Sequence, residues 1–371
     1  MNQRNESNES TFVLDDDDDD DDNLNELNDL GSPIPHMLSY DNDHDNISDS
    51  ADPPRLRMES DLSAPLLPYN YNNTTTSPKL NGLNYLNVLT YLLNVFISYG
   101  IGVWGLNGTL PTRVHVFESF QTLVTPAPWA YFLWAPILVF EAIFAIAQLT
   151  PYYRARPIIQ QGTGFFFFYT CLVQTAWTIL FAFELFTMSF VAVVLALLSM
   201  CFLLASQHNS RVRGRKSLIE YCLFRFPFYL HCGWLILCTV VQFSLLFRQL
   251  TSNVGVQLAA DVVALGAMLP AATFFLTGQP SGPDFVIPLV IVWSYMGIAL
   301  PLNHPSEALL KIYEHADIVA VRDSAFFFAC IVGLMLIPRV VIWVFQEFCT
   351  INVVELDDDI STSMYQQQND E

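Results

Sequence analysis

Long apolar runs separated by short polar segments make up residues 83–346. Eight of these runs approach the roughly 20 residues with which a helix crosses about 30 Å of hydrocarbon. They lie at 83–105, 127–149, 163–183, 186–206, 227–249, 256–277, 285–302 and 324–346. The stretch 163–206 is too long for one span, so we expect a tight turn near Glu184. The pattern predicts an all-α polytopic membrane protein with about eight transmembrane helices.

The two ends of the chain differ in composition from this apolar body. Of the 371 residues 52% are hydrophobic, yet the formal net charge is −20. Residues 1–78 hold 19 acidic residues and 3 arginines, and residues 347–371 hold 7 acidic residues and no basic one. Segments of this kind bury too little apolar surface to offset the entropy of ordering, so we predict that both tails are disordered. The body carries 13 basic and 10 acidic residues. Its apolar runs exclude a soluble enzyme, and the charge excludes a basic nucleic-acid-binding protein.

Basic residues in the connecting segments predict the orientation in the membrane. With eight spans, one side holds Lys79, Arg154, Arg156, Arg211, Arg213, Arg215, Lys216 and Arg225. The opposite side holds Arg113, Arg248, Lys311 and Arg322. The richer side is expected to face the cytosol, which places both termini there. The membrane itself, plasma membrane or endomembrane, stays open. Glycosylation of Asn5 or Asn46 would reverse this topology and favour a heptahelical receptor instead.

Polar and aromatic residues recur at helical spacing inside four of the predicted spans. Helices in lipid lose the hydrophobic drive to associate, so such residues belong between helices or around a cavity. The stripes are Asn84, Asn87, Tyr91, Asn94, Ser98, Gly102 and Gly105 in span one, Trp134, Glu141 and Gln148 in span two, Gln174, Trp177, Phe181 and Glu184 in span three, and His231, Trp234, Cys238 and Gln242 in span five. Two interpretations stay open. The stripes either hold the helices together or line a cavity for a flat, largely apolar ligand, which indoles beside amides would suit.

Glu141 is the single residue that most favours a functional interpretation. A carboxylate so deep in hydrocarbon is costly unless it is protonated, paired or hydrated. His231 is a candidate partner. The alternative is a protonated Glu141 that bonds to the amides of span one for packing alone.

Enzyme and metal sites find little support in the sequence. Paired carboxylates at catalytic spacing, HExxH and GxSxG are absent from it. The seven cysteines form no CxxC, and the spacing of His304, Glu307, Glu314 and His315 is irregular for a metal site. We therefore assign no catalytic residue, no metal and no resident cofactor, and we favour binding over catalysis.

Three short motifs resemble the TspO/MBR family, whose members are also called translocator or tryptophan-rich sensory proteins. Residues 125–134, Thr-Pro-Ala-Pro-Trp-Ala-Tyr-Phe-Leu-Trp, are similar to the second helix of that family. The third and fifth helices of the family are matched by Gln174-x-x-Trp177-x-x-x-Phe181 and by Pro227-Phe228, Gly233-Trp234 and Gln242. Both glutamines stand where the family usually has asparagine. The resemblance covers about 83–249 and is to the longer branch, whose further helices are matched by Asp284, Trp293 and Gly297.

The resemblance implies a five-helix bundle that binds tetrapyrroles, sterols or drug-like apolar ligands, in transport, sensing or porphyrin breakdown. By position, Trp129, Trp134, Trp177 and Trp234 would match the aromatic pocket of the family. The sterol-recognition motif of the family has a tyrosine, but this chain reads Leu-Leu-Phe-Arg at 245–248. Sterol binding is therefore not carried over.

These observations divide the chain into four predicted parts and one predicted site. The parts are an acidic disordered cytosolic tail (1–78), a TspO-like five-helix bundle (79–249), a three-helix membrane extension (250–346) and an acidic disordered tail (347–371). The candidate ligand-binding residues are Asn87, Asn94, Trp129, Trp134, Glu141, Gln174, Trp177, Phe181, His231, Trp234 and Gln242.

We predict that the protein binds a planar hydrophobic small molecule, with a tetrapyrrole as a candidate, as a carrier or sensor in the lipid bilayer. The alternative is a secondary transporter of a small solute, whose path follows helices interrupted at Pro136, Pro270 and Pro288. Nucleic acid is not an expected partner, and assembly into a homo-oligomer is left open.

Overall fold

A computed structural model describes residues 79–154, 156–209, 218–278 and 284–369 of the chain. Side chains are described for these residues except 218, 219, 343 and 346–369. The predicted tail 1–78 lies outside the described residues. The described residues form helices and turns without a strand, as the apolar pattern predicts.

Thirteen α-helices follow one another along the described residues, and eight of them are long. The helices are α1 Gly82–Gly100, α2 Gly105–Gly108, α3 Arg113–Ser119, α4 Trp134–Ala147, α5 Pro151–Arg154, α6 Phe166–Ala182, α7 Phe186–Asn209, α8 Leu218–Phe224, α9 Phe226–Leu250, α10 Val254–Thr277, α11 Val286–Ala299, α12 Glu307–Leu310 and α13 His315–Asn369. A 3-10 helix, Pro128–Leu133, leads into α4, and a π-helical turn, Ile158–Thr163, precedes α6.

Seven of the helical segments described are long and apolar enough to cross a membrane, so the protein is a polytopic α-helical membrane protein. The predicted count was eight. The helix that falls short is α1, because Asn84, Asn87 and Asn94 lower its hydropathy. Its 19 residues nevertheless rise about 28 Å, which is close to the thickness of the hydrocarbon layer.

The side chains of α1 are distributed as in a membrane helix. Its buried residues are Asn84, Asn87, Thr90, Tyr91, Asn94 and Ser98. Its exposed residues include Leu86, Leu89, Leu92 and Phe96. A helix on the surface of a water-soluble protein shows the reverse arrangement. We therefore treat α1 as an eighth helix in contact with lipid.

The turn expected near Glu184 is confirmed. Helix α6 ends at Ala182 and α7 begins at Phe186, and Glu184 between them has a φ of 57°. This left-handed residue lets the chain reverse within three residues, so that α6 and α7 pack side by side.

Helix α9 is central to the bundle. It packs against α4, α7, α10 and α11, while α1 packs against α4 and α6, and α13 packs against α10 and α11. The predicted extension therefore lies directly on the predicted five-helix bundle.

The three prolines expected to interrupt their helices do not do so. Helix α10 continues through Pro270 to Thr277. Pro136 and Pro288 lie in the first turns of α4 and α11, where a proline lacks only an N–H that has no partner within the helix.

The last helix, α13, continues to Asn369 and includes most of segment 347–371. The disorder predicted for that segment stays a prediction. The sequence has no glycine or proline after Pro338, so the backbone contains none of the residues that most readily end a helix.

A test of the eighth span follows from the position of α1. If α1 crosses the bilayer together with the other seven helices, the two termini lie on the same side. We expect fluorescent tags fused to either terminus to be degraded together when protease enters the cytosol of selectively permeabilised cells. Degradation of one tag with protection of the other would show that seven helices cross.

Candidate functional site

Three of the predicted tryptophans meet between α4, α6 and α9. The indole of Trp134 stacks on that of Trp177, with ring centroids 6.3 Å apart and planes at 28°. It meets Trp234 edge to face at 6.1 Å. Trp177 and Trp234 are buried in the middle of their helices. Trp134 is the first residue of α4 and directly follows the 3-10 helix that begins at Pro128.

A second group of rings extends this cluster toward the loop between α1 and α4. The ring of Phe117 lies 5.2 Å from Tyr131 and 5.0 Å from Phe181. Tyr131 meets Trp234 at 5.7 Å, and Phe181 lies 6.0 Å from Trp177. The predicted site residue Phe181 thus contacts Trp177 directly, and Phe117 and Tyr131, which the sequence does not single out, link it to Trp234 as well.

The rings surround a small cavity. Its lining residues are Phe117, Pro126, Tyr131, Trp177, Trp234, Leu237, Cys238, Val241 and Gln242. The space open to the centre of a water molecule is about 10 Å³, which suffices for a single water. In this conformation the aromatic cluster is therefore closed.

Buried polar atoms around this cavity lack hydrogen-bond partners among the described residues. They are the Nε1 atoms of Trp134, Trp177 and Trp234, the hydroxyl of Tyr131 and the Oε1 atoms of Gln174 and Gln242. The other end of the Gln242 amide donates from Nε2 to Ser189 Oγ. A buried donor or acceptor left unpaired costs about 1–3 kcal/mol. These unpaired atoms are available as hydrogen-bond partners for a bound molecule.

Glu141 and His231 form a buried pair beside the cluster. His231 Nδ1 lies 2.6 Å from Glu141 Oε1, and the two side chains are 1% and 0% exposed. The imidazole meets the Trp134 ring edge to face at 5.8 Å. Glu141 Oε2 and His231 Nε2 have no partner within the described part of the chain. The carboxylate is thus paired with histidine rather than with the amides of α1.

Three predicted site residues lie in other surroundings. Asn87 donates from Nδ2 to Gln148 Oε1 at 3.1 Å, and Asn94 accepts from a serine one turn along α1. Trp129 meets Trp293 of α11 edge to face at 4.8 Å. Asn87 and Trp129 thus contact residues outside their own helices, whereas the hydrogen bond of Asn94 lies within α1. The predicted contacts of all three with a ligand remain predictions.

Residues 101–127, which we call the covering segment, link α1 to the 3-10 helix before α4. The segment contributes Phe117 to the cavity wall. It also places the guanidinium carbon of Arg113 5.5 Å from the Trp134 ring and 5.2 Å from the Trp177 ring. The covering segment therefore closes the aromatic cluster at one end of the bundle.

Asp261 of α10 binds the covering segment through a hydrogen bond. Its Oδ2 accepts a hydrogen bond from the backbone N–H of Leu123 at 3.2 Å and another from the Tyr313 hydroxyl at 3.3 Å. The aspartate is 1% exposed. A single buried carboxylate thus connects the covering segment, α10 and the loop before α13.

Helix α11 holds the end of the same segment. The N–H of Ala127 donates to the carbonyl of Gly297 at 2.8 Å, and the indole N–H of Trp293 donates to the carbonyl of Ala130 at 3.2 Å. A Cβ atom on Gly297 would lie 3.0 Å from the Cβ of Ala130, so only glycine fits this approach without displacement. Both α10 and α11 therefore position the covering segment.

A family model described as TSPO-like protein matches residues 84–337, which is more than half of the chain. The chain belongs to the TSPO-like protein family. The match begins in α1 and ends in α13, so in this TSPO-like protein it includes the helices of the predicted extension. No curated protein and no solved structure matches the chain at a significant level.

The site residues that sequence reasoning missed in this TSPO-like protein are Arg113, Phe117 and Tyr131. Tyr131 lies in a 3-10 helix, and the other two lie in the covering segment. A stripe at α-helical spacing could not reveal them. Pro126 and Pro128 were the available signal, because they mark an irregular start of the second span.

Replacing Asp261 tests the attachment of the covering segment. In Asp261→Ala the Leu123 N–H and the Tyr313 hydroxyl lose their acceptor, at an expected cost of about 1–3 kcal/mol for each buried donor. We expect faster amide hydrogen exchange in residues 120–127 and a lower midpoint of thermal unfolding. Tyr313→Phe, which removes only one of the two hydrogen bonds, should show a smaller change. Unaltered exchange in Asp261→Ala would contradict this role.

Proposed function

We propose that this TSPO-like protein binds a planar, largely apolar small molecule, with a tetrapyrrole as a candidate, between α3, α4, α6 and α9, and acts as a carrier or sensor. The observation that carries the proposal is the group of three clustered indoles whose N–H donors lack partners among the described residues. Flat aromatic walls favour stacking of a planar ligand, and the donors would bond to acceptors at its edge.

Binding of such a ligand requires the cluster to open. Sites for drug-sized molecules usually enclose about 300–1,000 Å³, whereas the cavity here has room for about one water molecule. Phe117, on the covering segment, is the lining residue whose displacement would enlarge it without parting the long helices. The proposal therefore includes movement of α3 away from α4 and α6.

Glu141 and His231 give the proposed site a polar end. They lie on α4 and α9, which also carry Trp134 and Trp234, and His231 contacts the Trp134 ring. A ligand with a polar edge could bond to the free nitrogen of His231, while Glu141 fixes the orientation of the imidazole.

Two further parts of the proposal concern orientation and the alternative function. We propose that both termini lie in the cytosol, because α1 has the side-chain distribution of a membrane helix and the basic segments then share one side. A secondary transporter has less support, since α10 continues through Pro270 instead of breaking into half-helices around a substrate.

Fluorescence quenching tests the proposed binding. Titration of the purified full-length protein with protoporphyrin IX should quench tryptophan emission in a saturable manner. Trp177→Phe and Trp234→Phe should each weaken binding by about five- to twentyfold, because each substitution removes a donor and part of a stacking surface.

The matched control for these variants is Trp104→Phe. Trp104 is 68% exposed and is not a lining residue of the cavity, so this substitution should leave the affinity unchanged. The proposal would be overturned if Trp177→Phe, Trp234→Phe and Trp104→Phe all bound the porphyrin with the wild-type affinity. Quenching that does not saturate would also overturn it. Saturable uptake of a hydrophilic solute into proteoliposomes, without quenching, would favour the transporter.

A second test concerns Glu141. Glu141→Ala should weaken porphyrin binding more than it lowers expression, because His231 loses the group that orients it. Glu141→Gln, which keeps a hydrogen-bond acceptor at the same place, should retain more of the affinity. If the purified alanine variant binds porphyrin like the wild type, the pair has a packing role only.

A further inference from the structure

Arg113 is held in a defined position at the start of α3. Its backbone N–H donates to the carbonyl of Gly102 at 2.9 Å, and the hydroxyl of Thr112 caps α3. The guanidinium lies over the rings of Trp134 and Trp177. A Cβ atom on Gly102 would lie 2.8 Å from Arg113 Nη2, so the absence of a side chain at Gly102 allows this approach.

The charge of Arg113 has no carboxylate partner within the described part of the chain. The ion pairs found there involve Arg156, His231 and Arg322. The groups that interact electrostatically with Arg113 are Tyr131 and Cys238, whose side chains are ordinarily neutral at neutral pH. Glu141, whose partner His231 contacts the Trp134 ring, is already paired with that histidine.

Arg113 is partly buried, and loss of water around an unpaired cation is costly. Burial lowers the pKa of the Arg113 guanidinium, although arginine stays protonated in proteins. The faces of two indoles compensate in part through cation–π attraction, which contributes about 0.5–2 kcal/mol. The indoles contact the face of the guanidinium, so the N–H donors at its edge stay available. Two of these donors can bind a carboxylate in a bidentate geometry.

The location of Arg113 connects this charge with the cavity. Tyr131 and Cys238, its electrostatic neighbours, are both lining residues of the cavity, and Trp177 beneath it is a third. A flat molecule between the indoles would therefore have one edge near the guanidinium.

We propose that Arg113 determines specificity by pairing with a carboxylate on the planar ligand, so that the site selects planar carboxylates over neutral molecules of the same shape. This inference rests on the proposed function. The inference adds to that function that the ligand carries a negative charge. It also means that the covering segment recognises the ligand as well as covering the aromatic cluster.

Two porphyrins that differ only in charge test the inference. Protoporphyrin IX has two carboxylates, and its dimethyl ester has none. With the purified full-length protein in neutral lipid nanodiscs, we expect the diacid to bind about tenfold to hundredfold tighter than the ester, the range for a hydrogen-bonded charge pair. Arg113→Gln should remove most of this preference, because it weakens binding of the diacid much more than binding of the ester. Arg113→Lys, which keeps the charge, should keep part of the preference.

Three results would overturn the inference. Equal binding of diacid and ester by the wild type would show that the charge is not recognised. Equal weakening of both ligands in Arg113→Gln would show that Arg113 only packs on the indoles. If neither porphyrin binds, the proposed function fails and the inference fails with it, whereas saturable binding without charge preference overturns the inference alone. If Arg113→Gln does not fold, the comparison of diacid and ester binding by the wild type and by Arg113→Lys tests the inference.

Discussion

Helices surrounded by hydrocarbon gain no hydrophobic free energy from packing together. The distribution of polar side chains in this protein follows from that constraint. Polar side chains are costly at the lipid surface and favourable between helices, so they occupy the interior. Helix α1 shows this most clearly, with asparagines buried and leucines exposed. Pairs such as Asn87 with Gln148 and Thr170 with Ser199 then hold α1 to the end of α4 and α6 to α7. Packing by polar groups has a consequence for function, since any such group left without a partner becomes a potential contact for a ligand.

The aromatic cluster combines that polar interior with flat apolar walls. Three indoles and a tyrosine fill the space between α4, α6 and α9, but their packing leaves the N–H and O–H groups unpaired among the described residues. The pair of Glu141 and His231 solves the same problem differently. Each side chain gives the other one hydrogen-bond partner inside the bundle, and each keeps one polar atom without a partner among the described residues. The site therefore has hydrogen-bonding capacity that exceeds what the fold itself uses.

Sequence periodicity could predict the long helices and the members of the site that lie on regular helix faces. Trp134, Trp177, Trp234 and Phe181 repeat at inward spacing, and the structure brings them together. Trp129 is assigned by the family resemblance and not by periodicity, and it lies in the 3-10 helix, where it contacts Trp293 of α11. Arg113 and Phe117 have no periodic neighbours, so only the folded covering segment reveals their place.

The attachments of the covering segment indicate how the closed cluster can open. Residues 123–127 are bound to α10 and α11 through Asp261 and Gly297. The start of α3 is held by the hydrogen bond from the Arg113 N–H to the Gly102 carbonyl, whereas Phe117 is held by ring contacts with the cluster. A planar ligand can replace those contacts with stacking of its own, but it offers no substitute for the hydrogen bonds of Asp261. The expected movement is therefore a displacement of Phe117 and of the end of α3 at Ser119, while the start of α3 at Arg113 stays bound to Gly102. In such a movement the helices beyond α9 stay in place and form the fixed support against which the site opens.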